Sequence, residues 1–179
     1  MEYTAEVLSQ SPSSDVEGFD FPPGGRGEPL IRILVRPRGS APWVGKFYSM
    51  GGWFDINAVT GLEVWCEGPL LLVVSGGHPH YVNAADRSLA PELHVPVLHR
   101  VRSGEGVVVL ADYTRVFAVN GFGLLWKISV SHDGIHDLRL DGSTVRGVGE
   151  DFRDTLVPFA IDLSGEVIER GFDPDPPWP

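Results

Sequence analysis

Hydrophobic residues along this chain fall in short blocks or alternate with polar ones, and no run of a dozen shows the 3.6-residue period of a helix. The clearest blocks lie between Gly104 and Trp126. Residues 107–110 form a continuous apolar run, typical of a strand buried on both faces. Residues 115–119 alternate, and a further apolar segment covers 124–130. This stretch predicts three consecutive antiparallel strands.

The turn between the second and third of these strands carries a hairpin signal. Asn120 and Gly121 stand between two hydrophobic segments, and both residue types tolerate positive φ. The pattern predicts a two-residue type I′ turn in which Gly121 has positive φ.

The same plan recurs elsewhere in the chain. Tyr81 repeats the position of Phe117 from 36 residues upstream, and Phe159 repeats it 42 residues downstream. Residues 54–65 give a weaker copy. Such a spacing indicates stacked or radially arranged supersecondary units.

The segments FAVNGFGLLW (117–126) and PFAIDLSGEVI (158–168) resemble the strand-turn-strand pieces of bacterial propeller repeats. Together with the intervening SHDGI, they are also similar to small bacterial β-proteins of unassigned activity. The resemblance covers roughly residues 68–170 and implies an all-β body with propeller-like β-meander repeats. It implies no functional residue.

Composition agrees with many short strands, because the 179 residues include 22 Gly and 15 Pro. We expect an all-β, antiparallel β-meander with a propeller-like or barrel-like body, the alternative being a β-sandwich. The length suits one domain. The expected organisation is an N-terminal strand and flexible arm over 1–29, a single domain over 30–170 and an extended Pro-rich tail over 171–179.

The formal net charge of -10 argues against a nucleic-acid or anionic-membrane partner, since both favour a basic face. The single cysteine, Cys66, cannot form an internal disulfide and suits a small buried hydrophobe. No stretch has the length of a membrane-spanning segment or the pattern of a secretion signal. We expect a cytoplasmic protein.

One candidate metal site rests on His78 and His80, because residues two apart on a strand project from the same face. The pair resembles the HxH of the cupin metal motif, although Ala84 stands where that motif has a carboxylate. Asp112 is the candidate third ligand for a divalent metal. The alternative interpretation is a turn with exposed imidazoles, given the preceding glycines.

A second candidate cluster lies in SHDGIHDLRLDG (131–142), which contains His132, Asp133, His136 and Asp137. Two histidines four apart share a face only on a helix. The two Asp-Gly pairs instead favour tight turns around a short strand, which is the structural interpretation of this segment.

The sequence contains none of the common nucleophile, phosphate-loop or zinc signatures. We therefore expect a non-catalytic binding or interaction protein with no cofactor, acting on a protein partner with a basic surface, for example as an inhibitor or immunity-like protein. The alternative is a metal-dependent enzyme using His78 and His80.

Overall fold

The computed structural model describes residues 2–9, 15–48, 59–65, 67–90, 97–103 and 106–171, and this part of the chain contains strands and no helix. The strands are β1 (Tyr3–Val7), β2 (Glu17–Phe21), β3 (Ile31–Pro37), β4 (Trp43–Phe47), β5 (Gly61–Glu63), β6 (Leu70–Ser75), β7 (His78–Asn83), β8 (His99–Arg102), β9 (Val108–Ala111), β10 (Arg115–Asn120), β11 (Gly123–Ser129), β12 (Ile135–Asp141), β13 (Thr144–Glu150), β14 (Leu156–Asp162) and β15 (Val167–Arg170). The all-β prediction is confirmed.

The chain forms two compact units. Unit 1 comprises Met1–Val97 with Gly121–Gly123, and unit 2 comprises Leu98–Asn120 with Leu124–Pro179. A single domain over 30–170 stays a prediction of the sequence, based on the shortness of each half for an ordinary domain.

Unit 1 contains a four-stranded sheet in the order β1-β3-β4-β2 and a three-stranded sheet in the order β5-β6-β7. All pairs are antiparallel except β2 with β4. The inward side chains of both sheets form one apolar core: Tyr3, Phe21, Ile31, Ile33, Val35, Trp43, Phe47, Leu71, Val73, Val82 and Ala84. Unit 1 is therefore two sheets packed face to face.

Unit 2 follows the same plan with two four-stranded sheets, β11-β10-β9-β8 and β12-β13-β14-β15. Their shared core is built from alternate residues of the strands and from one flanking position, Val130: Val109, Ala111, Val116, Ala118, Val130, Ile135, Val145, Phe159 and Ile161. Burial of this alternating set stabilises the unit, at about 25 cal/mol for each Å² of apolar surface removed from water.

Each sheet is open within the described residues, with a different strand at either end. The barrel-like body is thus not formed, and the sandwich alternative describes each unit. A barrel needs its first and last strands to pair, whereas here the cores come from pairs of facing sheets.

The predicted N-terminal strand is present as β1, but the predicted flexible arm includes the ordered strand β2. β2 pairs in parallel with β4, from Glu17 opposite Trp43 to Phe21 opposite Phe47. The Phe21 ring stacks on Phe47 at a centroid distance of 4.8 Å. Pairing with the distant strand β4 therefore orders a segment whose own composition predicts no strand. Cys66, residues 54–58 of the weakest repeat and the tail beyond 171 lie outside the described residues.

The residues aligned in the predicted repeat can be compared by their strand pairing. Tyr81 and Phe117 both lie on the second strand of a hairpin, opposite Leu72 and Leu110 respectively. The innermost paired residues are Ser75 and His78 in the first hairpin, with two residues between them, and Ala111 and Val116 in the second, with four residues between them. When Tyr81 is aligned with Phe117, the first strands of the two hairpins are therefore offset by two positions. Phe159 faces the core of unit 2, while on β10 the neighbours of Phe117 do so. The proposed alignment of Phe117 with Phe159 therefore exchanges the two faces of the strand.

The predicted Asn120-Gly121 turn is wrong in register. Asn120 ends β10, the turn residues are Gly121 and Phe122, and positive φ falls on Gly123 at 137°. A Cβ at Gly121 would overlap the carbonyl oxygen of Glu67, while the Gly121 carbonyl accepts a hydrogen bond from the Leu70 amide at 3.1 Å. Close backbone approach, rather than positive φ, requires glycine at this position.

Candidate functional site

His78 and His80 lie on β7 in unit 1, and the period of two places them on one face of the strand, as predicted. The preceding turn is formed by Gly76 and Gly77, both at positive φ. His78 is partly buried and His80 is only 6% exposed. The interpretation as a turn with exposed imidazoles is therefore wrong for His80.

The imidazole of His80 lies inside unit 1. Its ring is 5.4 Å from that of Phe47 on β4, and it makes a hydrogen bond to the backbone of Tyr48. Its Nε2 atom is buried and has no hydrogen-bond partner among the described residues. Burial, reinforced by the charge of neighbouring His78, lowers the pKa of His80 to about 4. His80 is thus a neutral, enclosed side chain at pH 7.

Asp112, the predicted third ligand, lies in unit 2 in the loop between β9 and β10. Its Oδ1 accepts hydrogen bonds from the backbone amides of Thr114 at 2.7 Å and Arg115 at 2.6 Å. Such bonds are typical of an Asx turn. The carboxylate of Asp112 is engaged in shaping its own loop.

Within the described ranges, no group of three or more His, Cys, Asp or Glu side chains is arranged to hold a metal ion. A divalent-metal site on His78, His80 and Asp112 stays a prediction of the sequence. Nε2 of His80 is buried inside the protein and is not exposed to solvent.

The second predicted cluster separates into two contacts at one end of the sheet β12–β15. His136 on β12 lies with its Nε2 2.5 Å from Oε1 of Glu150 on β13. The ring of His132 packs against Phe152 at a centroid distance of 3.8 Å. Asp137 occupies a β-bulge of β12 and has φ of 52°. The predicted short strand between two turns is confirmed.

Ser131 fastens this end of the sheet from inside. Its buried hydroxyl donates to the Gly134 carbonyl at 2.5 Å and accepts from the amides of Gly134 at 3.1 Å and Glu150 at 2.8 Å. Because the oxygen is saturated by backbone groups, it is suited to holding the 131–134 and 150–155 segments together and not to nucleophilic attack.

No protein-family model matches this chain, and no curated protein matches it.

Sequence reasoning missed the loop from Asp151 to Thr155, which brings Phe152 to the surface with 55% of its area exposed. Leu156, at the start of β14, is 61% exposed. The available signal was a pair of large apolar residues set among Asp151 and Asp154 in a polar segment. Large exposed apolar side chains in a loop and at the start of the strand that follows it make this region a candidate binding surface.

The structure also bears on membrane insertion. Across the residues that it describes, there is no helix with the length and apolar character needed to cross a bilayer.

Proposed function

We propose that this chain is a non-catalytic binding protein that recognises a protein partner with a basic surface. The observation that carries the proposal is the formal net charge of -10, which favours association with cationic surfaces and disfavours anionic ones. An inhibitor or immunity-like protein, covering a basic working surface of its target, is one form of this function.

The positions of two buried polar side chains of unit 2 support a binding role over catalysis. Asp112 and Ser131 are both buried, and both direct their oxygens at backbone amides in their own turns. A catalytic carboxylate or nucleophile needs an accessible atom and a neighbouring base or acid. These two groups instead stabilise loops, which leaves the surface of the unit available for recognition.

The test is a pull-down with the immobilised chain at about 50 mM and about 500 mM salt, because screening weakens attraction between exposed charges. An unrelated all-β protein of equal net charge serves as the control for general anion exchange. We expect a protein that this chain retains at low salt, that the control does not retain, and that high salt releases. Retention by both proteins alike, or no retention at low salt, would contradict the proposal.

A further inference from the structure

An apolar surface lies on the outer face of the sheet β12–β15. In the register of β13 with β14, Val148 is opposite Pro158 and Glu150 is opposite Leu156. Phe159 and Ile161 on β14 face the core, so the alternate residues Leu156 and Pro158 point outward. With Phe152 at the adjoining loop, these outward residues form what we call the platform: Val148, Phe152, Leu156 and Pro158.

The platform is held in a fixed shape by its own loop. The Asp151 amide donates to the Thr155 carbonyl at 3.0 Å, while the Asp151 carboxylate accepts from the amides of Arg153 at 2.8 Å and Thr155 at 2.9 Å. The ring of Phe152 packs on that of His132. A surface ordered before binding loses little conformational entropy when a partner docks.

Most of the charged side chains in the segments that adjoin the platform are carboxylates. Segments 131–134 and 150–155 carry Asp133, Glu150, Asp151 and Asp154 against the guanidinium of Arg153. The cationic groups beside Val148 have acidic partners, because His136 contacts Glu150 and Arg146 pairs with Asp141. Hydrogen bonds from the Thr155 amide and then the Arg153 amide lower the pKa of Asp151, which keeps its carboxylate ionised at neutral pH. An apolar centre with an anionic rim is complementary to an apolar segment with a cationic rim.

We infer that the platform is the docking surface for a protein segment in which Arg or Lys side chains flank apolar ones. This inference rests on the proposed function and assigns it a place on unit 2. Phe152 and Leu156 supply the exposed apolar contact area, and aromatic side chains of this kind dominate binding energy at interfaces. The carboxylates of the rim select a cationic partner.

The test uses two short labelled peptides of equal charge, one alternating Arg with Leu and the other alternating Arg with Ser. Their binding to the full chain is followed by fluorescence anisotropy. We expect the Arg-Leu peptide to bind more tightly, and the double variant Phe152→Ser, Leu156→Ser to weaken its binding about tenfold or more. The same variant should bind the Arg-Ser peptide nearly as the parent does.

Two matched controls test the location. Leu125→Ser removes an apolar side chain that is 46% exposed on β11, and Glu166→Gln removes an exposed carboxylate outside the rim. Neither should change the affinity for the Arg-Leu peptide by more than about twofold.

The outcomes separate the surface from the function. If both peptides bind equally, or if the double variant binds the Arg-Leu peptide as tightly as the parent, the platform is wrong, although a basic partner stays supported. If neither peptide binds the parent chain at low salt, both the platform and the proposed function are contradicted.

Discussion

The buried polar side chains lie on strands in unit 1 and in loops in unit 2. In unit 1, Ser75 and His80 lie on strands β6 and β7, with their side chains inside the sheet packing. In unit 2, Asp112 and Ser131 lie in turns and accept hydrogen bonds from backbone amides. The oxygens of Asp112 and Ser131 therefore accept hydrogen bonds from backbone amides that would otherwise lose their bonds to water. Nε2 of His80, in contrast, has lost its bond to water on burial, and no described residue replaces it, which costs desolvation free energy.

Two units that each consist of two packed sheets therefore differ in what their buried polar side chains stabilise. Buried oxygens in turns fix the loops at one end of unit 2, where the platform lies. The buried imidazole of His80 lies on a strand, and its protonation changes the free energy of unfolding of unit 1.

The largest expected effect contrasts a glycine of unit 1 with one of unit 2. Gly121→Ala would place a Cβ onto the Glu67 carbonyl, and we expect it to lower the free energy of unfolding by about 3 kcal/mol. Gly142 turns in open space at φ of 61°, so Gly142→Ala should cost only about 1 kcal/mol. Urea denaturation measures both. Equal costs would show that the backbone approach at Gly121 is not tight.

Next in size is the pH dependence of unit 1. The pKa of His80 is about 4 in the folded chain against 6.5 for an ordinary histidine, so the unfolded chain binds the proton first as pH falls. The contribution of neutral His80 to the free energy of unfolding should be fully present above pH 6.5. It should decline between pH 6.5 and 4, and the free energy of unfolding should fall by roughly 3 kcal/mol in total.

The matched variants for this titration are His80→Gln, which removes the buried imidazole, and His132→Gln, which removes an exposed imidazole that packs on the ring of Phe152. Urea denaturation at several pH values should show a weaker acid dependence in the first variant and the parental dependence in the second. An unchanged acid dependence in His80→Gln would refute the role given to His80.

A smaller effect is expected at the turn of unit 2. Ser131→Ala leaves the buried amide of Gly134 without its acceptor and removes one acceptor from the amide of Glu150. We expect the free energy of unfolding to fall by about 2 kcal/mol. Ser164→Ala, at an exposed turn position, should stay within about 0.5 kcal/mol of the parent. Amide hydrogen exchange at Gly134 should accelerate in the first variant alone. Undiminished protection there would mean that Ser131 does not fasten the segment.

Most of the strands could be predicted from the sequence because their signals are local. The central apolar run and the alternating segment after it correspond to β9 and β10, and the HxH period placed His78 and His80 on one face. An alternation with a period of two identifies the side chains that share one face of a strand. It does not identify the sheet that covers this face.

The remaining features depend on partners far away in the chain. β2 exists because it pairs with β4, and its Phe21 stacks on Phe47. His80 is buried because Phe47 and Tyr48 lie beside it, and Gly121 is constrained by Glu67. The platform was missed because Pro158 comes to lie opposite Val148, and Leu156 opposite Glu150, only through the β13–β14 register.

The most direct test of where this chain binds is a backbone amide NMR titration with the Arg-Leu peptide. The account predicts shift changes concentrated in residues 131–136 and 148–158, with the amides of β6 and β7 unaffected. Shift changes concentrated around His78 and His80, with residues 148–158 unmoved, would contradict it.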